Sequence, residues 1–354
     1  MGFDIKDNIA PKINWLKVYP MDTISYVGGF AQPLLMPVLG KNNVFQVQPD
    51  TIPVQGKIGL GIETYDFLNN AQNECSPYTI EVFTDNQLTY FCRLDSIPFS
   101  DAGYINSFFD YGEMILSGKK IQKLFVDPNN RLEIYKTAVN RGLIAFDDDS
   151  VHSVRIIATD TYGNEAALGF FLKNSKEVSS YGYKKDTLAV AHFDYSKINV
   201  FENDRIRVVI PEHALFTDLE FQYGESRSEN APYSMIHEIH NRYTPLLISY
   251  MLSIKPEKLD NKLKSKALLA RINTDGSLSA EGGEFRNGFV TGKVRSFGRF
   301  MVAIDTTPPV IKPIRFNPGA KLKNGSIISF QISDTLSGIR SYSGYFDSKW
   351  ALFE

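Results

Sequence analysis

Apolar and polar positions alternate along most of this chain, in short runs closed by turn residues. In "NVFENDRIRVVIPEH", Ile206, Val208 and Ile210 occupy every second position before a Pro-Glu turn, the period of a strand with one buried face. "GKIGLGIETYD" (Gly56 to Asp66) and "HSVRIIATD" (His152 to Asp160) alternate in the same way. After the latter, an Asp-x-x-Gly-Asn turn leads into a returning strand, "EAALGFFLK", which would close a β-sandwich. Between Lys264 and Asp305, Asp-Gly, Gly-Gly and Asn-Gly turns separate four or five short strands. Helix is scarce: "DAGYINSFFDYGEMILSG" (Asp101 to Gly118) predicts a short helix or an irregular connector. The pattern therefore predicts an all-β protein of tandem immunoglobulin-like β-sandwich modules, the last one incomplete.

An internal repeat sets the expected boundaries. "DNIAPKINWLKVYP" (Asp7 to Pro20) aligns without a gap on "DTTPPVIKPIRFNP" (Asp305 to Pro318). Both copies place Asp and Pro, a stiff joint, immediately before a strand pattern. The likeness continues from Gly56–Asp66 to Gly325–Thr335, and from "SPYTIEVFTDNQLTYFCRL" to "YSGYFDSKWALFE". A repeated domain entry indicates tandem modules of one kind. We expect an entry segment over 1–20, a sandwich over 21–180, a second over 181–307, and a partial module over 308–354. That last stretch is near the lower limit for folding alone. It should leave apolar surface uncovered and be the first region removed by limited proteolysis.

Composition narrows the function. Phe and Tyr number 25 and 18 among 354 residues, which suits strands. Lys plus Arg (38) nearly balances Asp plus Glu (40), so there is no basic field to attract nucleic acid. No apolar run is long enough to span a membrane, and the opening residues do not form a signal peptide. Met1-Gly2 lacks the Ser or Thr that myristoylation requires, with Lys6 in that place. Cys75 and Cys92 flank a hairpin whose turn is Asp85-Asn86. In that register Cys92 lies opposite Thr79, which favours two unpaired thiols.

Candidate chemistry fails on spacing. "MIHEIHNRY" resembles a zincin helix, but the second His arrives one residue early, and Asn241 stands where it is needed. In a strand, His237 and His240 would face opposite ways. Asp147-Asp148-Asp149 lacks an Asp-x-Asp-x-Asp-Gly loop and reads as a solvated turn; Asp160 and Gly163 make another turn, where plain structure is favoured over calcium. Gly59-Leu60-Gly61 has neither a third Gly nor a following helix, so it is no phosphate cradle. No nucleophile or paired carboxylates stand out. We therefore assign no catalytic, cofactor-binding or metal residues and no cofactor. Abundant Tyr and Phe, with Trp15 and Trp350 in or beside strands, leave glycan stacking as an open possibility.

The opening "GFDIKDNIAPKINWLKVYP" and the stretch from Ser279 to Pro309, with "GKVRSFGRFMVAID" and "DTTPP", resemble exported lysostaphin/LytM-type zinc metallopeptidases of the Bacteroidota. The resemblance is to the β region following their catalytic domain. It implies a peptidoglycan endopeptidase system of the cell envelope, periplasm or cell surface. That family holds zinc with His-x-x-x-Asp and His-x-His motifs. None of His152, His192, His213, His237 and His240 has Asp four residues on or His two residues on. The expectation is a non-catalytic interior slice, with the peptidase domain absent, that positions the peptidase or docks to an envelope protein or glycan. An independent, adhesin-like glycan- or protein-binding array is the alternative.

Overall fold

The computed structural model describes residues 6–175, 188–317, 319–321, 325 and 327–352. The expected boundary near 180, Pro318 and the first five residues lie outside them. Strand accounts for 47% of the chain and helix for 8%, so the protein is all-β. Its contacts divide it into two compact units. One comprises 1–197 with 212–220 and 242–248; the other comprises 198–211, 221–241 and 249–354. The first unit thus takes three pieces of the 181–307 stretch: its start as far as Lys197, 212–220 and 242–248.

In the first unit, β1 (Lys12–Pro20), β2 (Tyr26–Val27), β3 (Leu34–Pro37), β4 (Leu39–Lys41), β5 (Val44–Gln55) and β6 (Ile58–Tyr65) are followed by a hairpin of β7 (Thr79–Thr84) and β8 (Gln87–Arg93). Next come helices α1 (Ile105–Phe108) and α2 (Tyr111–Ser117), then β9 (Ile121–Lys123), β10 (Tyr135–Ala138), β11 (Val151–Thr159), β12 (Glu165–Asn174) and β13 (Ala189–Phe193). One sheet runs β3-β1-β6-β9, and the other runs β10-β8-β7-β11-β12-β5-β2 with β4 on β5. Leu16, Val18, Leu60 and Ile62 from the first sheet join Ile52, Ile80, Val82, Ile156 and Leu168 from the second in one core. These residues occupy every second position of their strands, as the sequence alternation requires, while in β1 and β6 the opposite face is largely covered as well.

Three local features bear on what the sequence predicts. The β7–β8 turn is Asp85-Asn86, both at positive φ (48° and 63°), the geometry that suits a two-residue hairpin. A bulge then slips the register, and the Thr89 hydroxyl donates to the Val82 carbonyl at 3.2 Å. Cys92 consequently lies opposite Ile80 rather than Thr79. It is buried, Cys75 is exposed, and both are free thiols. The Gly59-Leu60-Gly61 stretch answers to packing: a Cβ on Gly59 would sit 2.6 Å from the Phe125 ring, and one on Gly61 2.8 Å from Ile121. Helix α2 is the short helix expected within 101–118. The Asp110 side chain accepts from Glu113 N–H at its start, and Gly118 at φ 77° ends it.

The second unit contains β14 (Asn199–Glu202), β15 (Ile206–Ile210), β16 (Leu219–Ser226), β17 (Ile236–Ile239), β18 (Tyr250–Ile254) and β19 (Ala267–Ile272). They are followed by β20 (Leu278–Gly282), β21 (Glu284–Arg286), β22 (Phe289–Val294) and β23 (Gly298–Ile304). Strands β14-β15-β18-β22-β21 form one sheet, and β16-β17-β23-β19-β20 run adjacent in another. Ile206, Val208, Phe221, Leu252, Leu269, Phe297 and Val302 are all buried. Beyond Asp305, β24 (Val310–Ile314) pairs with β25 (Ser329–Ser333), and β26 (Gly344–Phe346) pairs with β27 (Lys349–Ala351). Ile311, Ile327, Tyr345 and Trp350 are exposed there, as expected for a stretch with little core.

The repeat is structural as well as sequential. Strand β1 pairs with β6 as β24 pairs with β25, and the turn at Asp347-Ser348 has both φ positive, as at Asp85-Asn86. The pairing corrects the alignment by one residue. Lys12 faces Tyr65 and Val310 faces Ser333, so Asp66 is equivalent to Asp334 rather than to Thr335.

Candidate functional site

Three aspartates far apart in sequence meet where the chain enters the first sandwich. Asp7 precedes β1, Asp66 follows β6, and Asp160 begins the β11–β12 turn. One carboxylate oxygen from each lies within 4.8 Å of the other two. Backbone donors fix their orientation. Asp7 Oδ1 accepts from Ile9 N–H and Asn69 N–H, both at 3.2 Å. Asp160 Oδ1 accepts from Tyr162 N–H and Asn164 N–H, both at 2.8 Å, and its Oδ2 from the Asn164 side chain at 2.7 Å. Asp66 and Asp160 are 5% and 4% exposed. Asp66 Oδ1 and Asp7 Oδ2 are sealed from water with no donor. Burial above all, reinforced by the charges of Asp160 and Asp7, pushes the Asp66 carboxyl up, against the opposing pull of the Phe67 N–H.

The second joint repeats this frame. Asp305 Oδ1 accepts from Thr307 N–H at 2.9 Å, as Asp7 does from Ile9. Asp305 Oδ2 accepts from Ser337 N–H at 2.8 Å. Ser337 stands three residues after Asp334, as Asn69 stands three after Asp66. Asp334 Oδ2 is buried without a donor, like Asp66 Oδ1. The sequence marked the Asp7/Asp305 pair as part of a joint and Asp160 as a turn. It did not indicate that Asp66 and Asp160 converge on Asp7.

The histidines are spread over different surroundings. His152 stacks on Phe146 at 3.6 Å and bonds Asp85 (2.7 Å) and Asp148 (3.1 Å). Burial opposes its protonation, but those two carboxylates outweigh it and raise its pKa. Asp148 also accepts from Ser150 N–H at 2.7 Å, so it serves the turn read from the Asp147–Asp149 run. His192 bonds Glu220 at 2.8 Å, and His213 lies 3.1 Å from Glu212. His237 is in β17, whereas His240 falls just past the strand's end with φ 48°. The opposite-faces expectation therefore does not apply to this pair, because the strand stops at Ile239.

His237 is fully buried, and its Nδ1 lies 2.9 Å from the Tyr223 hydroxyl, which donates to Glu225 at 3.1 Å. Glu225 in turn accepts from Arg205 at 2.5 Å. Burial lowers the His237 pKa to about 4, so the ring is neutral in the fold. An unfolded histidine protonates near 6.5, so the unfolded state binds the extra proton first. Stability should therefore be full above about pH 6.5 and fall by on the order of 3 kcal/mol as pH drops towards 4. Urea midpoints across that range, compared with His237→Gln, should show a shallower acid loss in the variant.

Folded this way, the chain belongs to the class of all-β proteins, built of several sheets that are antiparallel apart from the parallel β5–β12 pair. Residues 190–305 match the Zu5-like domain family. No curated protein matches the chain.

Proposed function

We propose that this chain is a β scaffold serving an exported LytM-type peptidoglycan metallopeptidase, contributing position rather than bond cleavage. The joint built twice carries the reading. The Asn69 N–H to Asp7 and the Ser337 N–H to Asp305 each tie a lead-in segment to the far end of the next strand pair. Pro11 and Pro308-Pro309 add fixed φ angles at the same places. Such joints resist bending, which suits modules that hold an enzyme at a set reach from an insoluble substrate. The resemblance of Gly2–Pro20 and Ser279–Pro309 to the β region of those peptidases supplies the substrate class and the envelope location.

A second reading, an adhesin-like glycan-binding array, draws on the cross-strand pair Tyr345–Trp350, each residue 65% exposed. Cosedimentation of the purified chain with insoluble peptidoglycan and with unrelated polysaccharides separates the two. The scaffold reading expects retention on peptidoglycan. Strong retention on another sugar, abolished by Trp350→Ala, would overturn it in favour of the array.

A further inference from the structure

We propose that Asp7, Asp66 and Asp160 form a calcium site that clamps the entry segment to the first sandwich. The proposal rests on these residues alone and stands or falls independently of the peptidoglycan reading. Three carboxylates present oxygens within 4.8 Å of one another, and two of the three residues are at least 95% buried. Among the described residues, no Lys, Arg or His forms an ion pair with any of them. Gathering like charges away from water is costly unless a counter-charge joins them.

The unpartnered oxygens point to that counter-charge. Asp66 Oδ1 belongs to a carboxylate that is 5% exposed, and neither water nor a donor reaches it; Asp7 Oδ2 is in the same state. A buried acceptor left unsatisfied destabilises a fold, the more so when charged. Here the two belong to carboxylates of one cluster, beside a third. Backbone N–H groups hold the other Asp7 oxygen and Asp160 Oδ1, and the Asn164 side-chain amide holds Asp160 Oδ2, so the cluster is ordered in advance of any ion. An all-oxygen, carboxylate-rich donor set suits a hard cation with flexible coordination, which is calcium. Zinc prefers nitrogen and sulfur, and magnesium demands a near-ideal octahedron.

The ion would draw together three elements: the segment before β1, the end of β6 and the β11–β12 turn. In the second joint, Asp305 and Asp334 supply only two carboxylates, and no third joins them among the described residues. The proposal is therefore confined to the first joint.

The test uses the full chain stripped with EDTA and titrated with calcium chloride, with magnesium chloride as comparator. Calorimetric titration should find one saturable calcium site, filled below about 10 mM, the range of extracellular modules. The thermal transition of the first unit should rise by several degrees with calcium and by less with magnesium. Asp66→Asn should abolish that rise and, having lost one repelling charge, should unfold no earlier than the wild type in EDTA. Asp160→Asn provides the same loss should Asp66→Asn not fold. Absence of stoichiometric calcium binding by the wild type, or a calcium-dependent rise undiminished in either variant, would overturn the assignment.

Discussion

Replacing Lys17 by methionine should destabilise the first unit by about 3–5 kcal/mol, the cost of stranding buried charge. Lys17 projects from β1, is 8% exposed, and reaches Asp110 at 2.7 Å and Glu113 at 2.6 Å. Tyr19, two residues on and on the same face, donates its hydroxyl to Asp110 at 2.8 Å. Asp110 also caps α2, so this one cation anchors the helix-bearing insertion to the sheet. Burial would push both carboxyls up, yet Lys17 and the accompanying hydrogen bonds prevail and hold Asp110 and Glu113 below their ordinary values. Their contribution is therefore complete above about pH 4 and fades as pH falls through the lowered values. In Lys17→Met the same carboxyls face burial without a counter-charge, so acid relieves the variant and the gap from wild type should narrow near pH 4. Urea unfolding at pH 7 and pH 4 reads both effects. A loss under 1 kcal/mol at pH 7 would mean that the cluster is solvated.

The second large effect belongs to the second unit. Phe297 is 1% exposed, with ring contacts to His240 (5.3 Å), Tyr250 (5.4 Å) and Phe221 (6.5 Å). Tyr250 is itself fully buried, and its hydroxyl donates to the Ser296 carbonyl at 3.3 Å. Truncating the central ring removes its burial energy and leaves a cavity that three stiff aromatic neighbours cannot collapse to fill. Phe297→Ala should therefore lower the stability of this unit by about 3–5 kcal/mol. With two units, the loss should appear as one of two transitions moving in a calorimetric scan, not as a uniform shift. Phe297→Leu, which keeps most of the volume, should recover more than half of it.

Much of the fold was legible because strand burial obeys a period of two. Ile206, Val208 and Ile210 face inward as their spacing requires, and Asp85-Asn86 turns where its composition suggests. The bulge at Thr89 was not legible, since it depends on a side chain donating across the hairpin. Lys17 aligned with Arg315 as an ordinary polar position, and its burial depends on an insertion nearly a hundred residues later. The aspartate cluster was half visible. Asp7 and Asp160 each drew attention, one as a joint and one as a turn. Their meeting with Asp66 follows from the long-range pairing of β1 with β6 and from the packing of that sheet against the one holding β11 and β12, which no local pattern encodes. The 212–220 and 242–248 segments were missed similarly, because contacts rather than composition assign them to the first unit.

The scaffold reading is tested most directly by incubating the purified chain with crosslinked peptidoglycan and zinc, and measuring released peptide fragments. The account predicts no release above the chain-free control at any zinc concentration. Reproducible zinc-dependent release, abolished by a chelator, would contradict it.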